Sequence, residues 1–276
     1  MFSTFGTEIA FSIEKKKYTV MKKFILLALI FVFTNSFTQR EDSFTTGEYF
    51  KLRIHYGLVT AGYATLEIKE ATRNNKKVHH VVGKGYTTGI TKAFFKVSDD
   101  YQSFFDKETG KPYQFLRKID EGGYTKYQEG FFNQANNSVF VKDYKNNTEK
   151  TFKVPENVQD IVSSFYYLRN HPNIDKLKEG ESISIDMFFD DETTKFKLKY
   201  IGKEDLSTKF GKVSCMVFRP YVQAGRVFKE EESLTVWVSD DDNKIPVRIK
   251  ASLAVGSLKA DLHEYKGLKH TFKVKK

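Results

Sequence analysis

Cysteine is almost absent: Cys215 stands alone among 276 residues, so no intramolecular disulfide can brace the fold. Stability has to come from the size of the core. Cys215 sits in the apolar stretch "VSCMVF", which reads as a small core hydrophobe and not as a nucleophile. Proline is scarce too, at five residues, and no stretch is rich enough in Pro, Ser or Gly to act as a linker. No apolar run reaches the roughly 20 residues a membrane-spanning helix needs. Acidic residues are the minority, 35 against 45 basic ones.

Residues 21–38 carry the one targeting pattern. Lys22 and Lys23 precede an apolar run over 24–33, and small polar residues follow. This is the layout of a secretory signal, with cleavage expected after Ser36 or Thr38. Such signals lie at the N-terminus, so residues 1–20 read most simply as an upstream extension from a mis-assigned start, with Met21 the initiator. The alternative is a longer positive region that uses Lys15, Lys16 and Lys17. No cysteine lies near the cleavage point, which argues against a lipid anchor, and no transmembrane anchor is expected after cleavage. Residues 1–36 hold five lysines and two glutamates, which leaves 40 basic and 33 acidic residues in the exported part. Export to the periplasm or cell surface makes nucleic acid an unsuitable partner for this charge. Anionic lipid, lipopolysaccharide or plain solvent suits it better. The end of the chain, "KGLKHTFKVKK", reads as a short basic tail.

Period-two alternation dominates the remainder. In "FKLRIHY", Phe50, Leu52, Ile54 and Tyr56 share a face opposite Lys51, Arg53 and His55. "ATLEI", "KFKLKY" and "VRIKA" repeat the pattern. Strands with one wet face belong to antiparallel sheets. Turn residues separate ten to thirteen such strands. The expected fold is mainly β, a highly curved antiparallel sheet or open β-barrel forming a single domain over 39–276. Phe and Tyr number 26 and 15, enough for a large apolar interior or an apolar cavity.

One segment departs from alternation. "VPENVQDIVSSFYYLRN" opens on Pro155 and Glu156 and closes at Asn170-His171-Pro172, the signals of a helix over about 155–170. Val158, Ile161, Val162, Phe165 and Leu168 form an apolar stripe that should pack on the sheet. Asp160, Ser163, Ser164 and Tyr167 fall away from it. Arg169 falls on the stripe. Either it caps the last carbonyls and snorkels to water, or it turns inward to a sheet carboxylate, Asp100 before Asp99. Alternation through "VSDDYQSF" puts those two aspartates on opposite faces.

Chemical motifs are weak. His79 and His80 are adjacent on a strand and point apart, which does not suit one metal. Asp240-Asp241-Asp242-Asn243 lacks the glycine and closing glutamate of a calcium loop and reads as a strand turn. Ser163 and Ser164 have no nucleophile-elbow context, and "GKGYTTG" has no phosphate-loop Lys-Ser pair. The aromatics of "YQSFFD" and "FYYLRN" read as core. No catalytic residue, metal ligand or cofactor motif is assigned.

Taken in order, "GEYFKLRIHYGLVTAGYATLEI", "VSDDYQSFFD", "VPENVQDIVSSFYYLRN", "FGKVSCMVFRP" and "WVSDDDNKIPVRIKASLAVGSLKADL" resemble an exported bacterial family, domain of unknown function 3108, over about 45–265. The matching positions are Gly47, Glu48, Gly57, Gly62, Asp100, Asp160, Tyr166, Arg169, Gly211, Trp237, Ser239, Pro246 and Gly256. The resemblance implies a periplasmic or surface-facing β protein with no assigned reaction. "LTVWVSDDDNKIPVRI" also resembles the strand-turn-strand of periplasmic lipoprotein carriers, where a curved sheet wraps an apolar cavity under a helical lid. The leading expectation is a non-enzymatic envelope protein that binds a lipid or other apolar small molecule. One alternative is an enzyme on envelope glycan or lipid that uses Asp99, Asp100, Asp160 and Arg169. Another is an assembly factor that binds a protein partner by its sheet edge. Asp99, Asp100, Asp160, Tyr166, Arg169 and Trp237 are the positions to locate.

Overall fold

The alternating segments fold as strands of one antiparallel sheet in the computed structural model, which describes residues 42–73, 75–222 and 234–275. The readings of residues 1–20 and 21–38 lie outside the described residues. β1 (Tyr49–Tyr56), β2 (Val59–Arg73), β3 (Lys76–Thr87), β4 (Ser98–Asp106), β5 (Pro112–Glu121), β6 (Tyr124–Asn133), β7 (Ser138–Asp143) and β8 (Thr148–Lys153) run from mid-sheet to one edge. β9 (Ser182–Phe189), β10 (Glu192–Thr208), β11 (Gly211–Val222), β12 (Leu234–Ser239), β13 (Pro246–Ser252) and β14 (Ser257–Lys266) run in from the other edge. β14 pairs with β1 and joins the two halves. The sheet is therefore a continuous meander cut between β8 and β9 and left open there. It has 14 strands among the described residues, above the ten to thirteen expected. β8 is exposed along nearly its whole length, so it shows no alternation to read.

Two-residue turns set the register of several hairpins. Asp190 and Asp191 both take positive φ, 51° and 65°, between β9 and β10. Gly122 and Gly123 do the same between β5 and β6, at 56° and 93°. Such mirror-image turns match the twist of the strands, and only Gly, Asn and Asp enter them readily. Gly62 has a different duty. A Cβ there would lie 2.1 Å from the Tyr86 carbonyl oxygen, so the close approach of β2 to β3 beside the bulge at Ala61 of β2 needs glycine.

The open edges are managed without closing the barrel. β8 is short and carries Glu149, Lys150 and Lys153, which oppose strand addition. At β9, the Gln159 amide donates to Asp186 O and the Phe188 amide to Gln159 O, so a loop residue occupies part of that edge. Val154, Val158 and Phe188 pack with Phe132, Val139 and Val141, filling the gap with side chains. Arg117 and Lys126 then reach across to Asp190.

Two α-helices accompany the sheet among the described residues. α1 (Gly89–Phe94) bridges β3 and β4 and buries no residue, so it left no amphipathic signal. α2 (Ile161–Arg169) is the expected helix, shorter than 155–170. Gln159 is held extended by a parallel bridge to Met187, and Asn157 takes a positive φ of 60°, so the helix cannot start at Pro155. Asp160 starts it instead. Its Oδ1 accepts from the Val162 and Ser163 amides at 2.8 and 2.9 Å, and the Asp160 amide donates to Ser163 Oγ at 2.9 Å. This reciprocal cap satisfies donors a helix start leaves orphaned.

The late start changes what the apolar stripe does. Val162 and Tyr166 pack with Phe44, Ile68, Val81 and Phe105 against β2–β4. Ile161, Ser164, Phe165 and Leu168 line an open space on the other side. Ser163 and Ser164, expected to fall away from the core, are buried. Phe165 is only half-buried, edge-on to Phe50, whereas Tyr166 is 1% exposed. Tyr166→Ala is therefore expected to cost roughly 3–5 kcal/mol in urea unfolding, and Phe165→Ala less than about half of that. Equal losses at the two positions would contradict this placement of α2.

Candidate functional site

The space beside α2 is a cavity of about 900 Å³, near the top of the range of roughly 300–1,000 Å³ usual for small-molecule sites. Its wall is the concave face of β9–β13, closed by β1, β2, β6 and α2. Alternation dictates the lining. Phe196 and Leu198 from β10, Phe218 from β11, and Val236 and Val238 from β12 point in, and their neighbours point out. Charged groups gather at the two ends, and Ser164 and Thr194 also line the wall. Tyr124, Lys126, Asp190 and Glu192 stand at the end carrying the β5–β6 and β9–β10 turns, and Arg169 and Lys244 at the other. Most of these charges are already matched. Lys126 lies 2.6 Å from Asp190 and Lys244 Nζ 2.7 Å from Asp175. Burial works against the Asp190 charge, but hydrogen bonds from Lys126 and Arg117 outweigh it and lower the pKa.

Arg169 is fully engaged at the inner end. Its guanidinium turns inward, as one reading of the stripe proposed, but its carboxylate is Glu48 and not Asp100 or Asp99. Nη1 and Nη2 donate to Glu48 Oε1 and Oε2 at 2.6 and 2.8 Å. Nε and Nη2 donate to Asn243 O at 3.0 and 2.7 Å, and Nη2 also to Ser43 O at 3.1 Å. Glu48 is wholly buried and Arg169 is 3% exposed. The rings of Phe44, Phe165 and Tyr166 lie 5.2–5.4 Å from the guanidinium carbon, within cation–π range. Burial opposes the Arg169 charge, yet the Glu48 carboxylate more than offsets it and raises the pKa. The helix-end cap with a solvated head is thus replaced by a buried bidentate pair.

The other positions singled out in the sequence do not converge on the cavity. Asp160 is buried as the α2 cap, with Ser103 Oγ donating to Oδ2 at 2.6 Å. Burial raises its pKa despite these bonds. Tyr166 is core. Trp237 lies on the opposite face of β12 from Val236 and Val238, packed with Leu206, Val213 and Cys215, and its Nε1 donates to Glu204 at 2.7 Å. Burial pushes the Cys215 thiol up to about 12, so it is no thiolate nucleophile. Asp99 and Asp100 line a separate depression with Lys84, Lys118 and Lys145. Asp100 accepts from Gln102 at 3.0 Å, while Asp99 sits beside Glu121. His79 is buried against Phe44 and Phe105, while His80 stacks on Phe104 from the other face. The 240–243 turn fills itself: Asp241 Oδ1 accepts from Ser239 Oγ and from the Asn243 and Lys244 amides. Among the described residues no three metal-ligating side chains cluster. Glu48 and the cavity lining were not singled out as a site. The one signal for Glu48 was its place among the family-like positions that also include Arg169.

Two stability predictions follow from these geometries. Arg169→Met strands a buried carboxylate and is expected to destabilise by roughly 3–5 kcal/mol, while Arg169→Met with Glu48→Leu recovers part of that loss. Chemical denaturation of the three proteins measures it, and a double variant no better than the single one would refute the pairing. Burial first, then hydrogen bonding and charge from Glu121, lift Asp99 to about 7. Its folded pKa exceeds its unfolded value, so the stability it contributes is full below about pH 4 and fades as pH rises through 7. Melting temperatures from pH 4 to 8 should show Asp99→Asn gaining on the parent as pH rises. A constant difference would mean that Asp99 titrates normally.

A similar architecture is seen in a solved structure. A β-barrel-like protein of domain of unknown function DUF1849 from Brucella abortus is similar with a TM-score of 0.53 over 82% of this chain and 99% of its own. At 9% identity that likeness is one of fold. A DUF1089 family protein from Pseudomonas aeruginosa covers 66% of this chain and 87% of its own, with 8% identity and a TM-score of 0.35. No curated protein matches the sequence. The family model described as protein of unknown function DUF3108 matches residues 51–263, most of the chain and nearly all of the sheet, and the chain belongs to that family.

Proposed function

We propose that this protein is a non-enzymatic component of the cell envelope that binds a lipid-like, predominantly apolar ligand in the cavity between α2 and β9–β13. The observation that carries the reading is the lining itself: about 900 Å³ walled mainly by Phe, Leu, Val, Ile and Met, with charged groups confined to its ends. An aqueous cavity of this composition is unfavourable to leave wet, at roughly 25 cal/mol for each Å² of apolar surface. An elongated apolar molecule with a polar head suits a lined space that is charged only at its ends. The signal-like segment at 21–38 supports export, and among the described residues no helix is long and apolar enough to cross a membrane.

The charged groups at the ends favour binding over catalysis. Arg169, Lys126 and Lys244 are each engaged with a carboxylate, and Asp99, Asp100 and Asp160 lie elsewhere. Among the described residues no acid–base pair faces a common reacting point in the cavity. Assembly through a sheet edge is disfavoured by the charged β8 and the partly occupied β9.

An acyl chain carrying an environment-sensitive fluorophore tests the reading. The parent protein should bind it saturably with a blue-shifted emission. Val236→Trp, which fills the cavity from β12, should weaken binding at least about tenfold while leaving the melting temperature within a few degrees. Unchanged binding in a folded Val236→Trp variant would refute the cavity as the site.

A further inference from the structure

We propose that one rim of the sheet, formed by the β1–β2 turn, α1 and the β13–β14 turn, docks on an anionic lipid bilayer. The proposal rests on the lipid reading of the cavity for its purpose, but on different residues for its support. Thirteen large hydrophobic side chains are exposed among the described residues. Strand direction puts eleven of them at one end of the sheet. Of the remaining two, Ile161 lines the cavity and Val274 lies in the tail. The most extreme are Leu58, 98% exposed, Phe94, 84%, Val255, 77%, and Ile90, 67%. Tyr124 and Tyr144 belong to the β5–β6 and β7–β8 connections, and the other nine to the β1–β2 turn, α1 and the β13–β14 turn. A lone exposed Leu is ordinary; nine on three adjacent connections are not.

Topology makes these tips neighbours. β4, β3, β2, β1, β14 and β13 are consecutive in the sheet, so the three connections stand in a row. They are tied together. Tyr56 donates through its hydroxyl to Val255 O at 3.0 Å, and the Thr88 amide donates to Ala61 O at 3.0 Å. The row is thus a fixed ridge and not three independent loops.

Charge selects the partner. Residues 57–60, 88–97 and 252–257 contain Lys92 and Lys96 and no acidic residue; Lys96 is ion-paired with Asp120 of β5, and Lys250 stands opposite Lys259 just below Leu253 and Val255. Separate apolar tips with interspersed lysines suit a bilayer surface. There each tip enters the same plane and each ammonium meets a phosphate. A protein partner would instead have to offer a matching pocket for each tip. The location agrees with transfer of an apolar ligand. Tyr124, Asp190, Glu192 and Leu234, which line the cavity, belong to strand ends and turns at this same end. A docked rim sets the cavity mouth toward the membrane, so an apolar ligand need not cross open water.

Sedimentation of the full exported chain with vesicles tests this directly. One set is phosphatidylglycerol with phosphatidylethanolamine, the other phosphatidylcholine alone. Binding to the anionic set is expected, with little to the second. Leu58→Glu, Phe94→Glu and Val255→Glu together, all at exposed positions, should lower it by more than about tenfold and leave fluorescent acyl-chain binding unchanged. Val236→Trp should keep vesicle binding. No binding to anionic vesicles, or equal binding by the triple variant, would overturn the docking surface and leave the cavity reading standing. So would sedimentation velocity showing a dimer that the three glutamates dissociate. Loss of acyl-chain binding with vesicle binding retained would instead be the signature of a failed cavity reading.

Discussion

The buried pair between Arg169 and Glu48 is the constraint on which the architecture turns. It joins four pieces of chain at one end of the sheet. Arg169 ends α2, Glu48 leads into β1, and Asn243 belongs to the β12–β13 turn. The tail is attached through the His270 amide, which donates to Asn243 Oδ1 at 2.9 Å. Placing a guanidinium and a carboxylate in an apolar interior gives little net stability compared with well-packed apolar residues. What it supplies here is position. With Arg169 fixed by five hydrogen bonds, α2 cannot rotate. Tyr166 then has to face β2–β4, and Phe165 and Leu168 the cavity.

That fixed rotation accounts for the uneven interior. A closed barrel of about eight strands is just wide enough for its own side chains to fill. Fourteen strands enclose more space than the inward side chains supply. Over β2–β4 the excess is taken up by α2 and by Phe44, Phe105 and Tyr166. Over β9–β13 no second helix enters among the described residues, and the concave face is left lined but unfilled. The high aromatic content is thus divided between packing α2 onto one half and lining the other.

The alternating strands were legible because each has one wet face, and their antiparallel pairing and curvature followed from that. β8 and α1 were not, since neither buries a face. The α2 boundary was misread because Pro155 and Glu156 imitate a helix start. The real cap, Asp160 with Ser163 three residues on, uses Ser where the familiar reciprocal cap has Glu or Gln. Arg169 stood out as a charge on an apolar stripe, but its partner could not be chosen by alternation. Glu48 lies 121 residues away, just ahead of β1 and outside any alternating run. Asp100 and Asp99 had a register to argue from, and register pointed to the wrong carboxylate. The cavity was expected from the excess of aromatics and from a short carrier-like resemblance, but its lining could not be named, because its walls come from eight strands and a helix that meet only in the folded chain.

An open sheet, a helix locked by a buried ion pair and an apolar hollow beside it are the basis of the proposed ligand-binding role. Native mass spectrometry of the protein purified from its own cell envelope, without detergent exchange, tests that account most directly. The account predicts added mass in discrete lipid-sized steps, removed by organic extraction and absent when Val236→Trp fills the hollow. A bare polypeptide mass from envelopes that contain abundant lipid, identical in the parent and the filled variant, would contradict it.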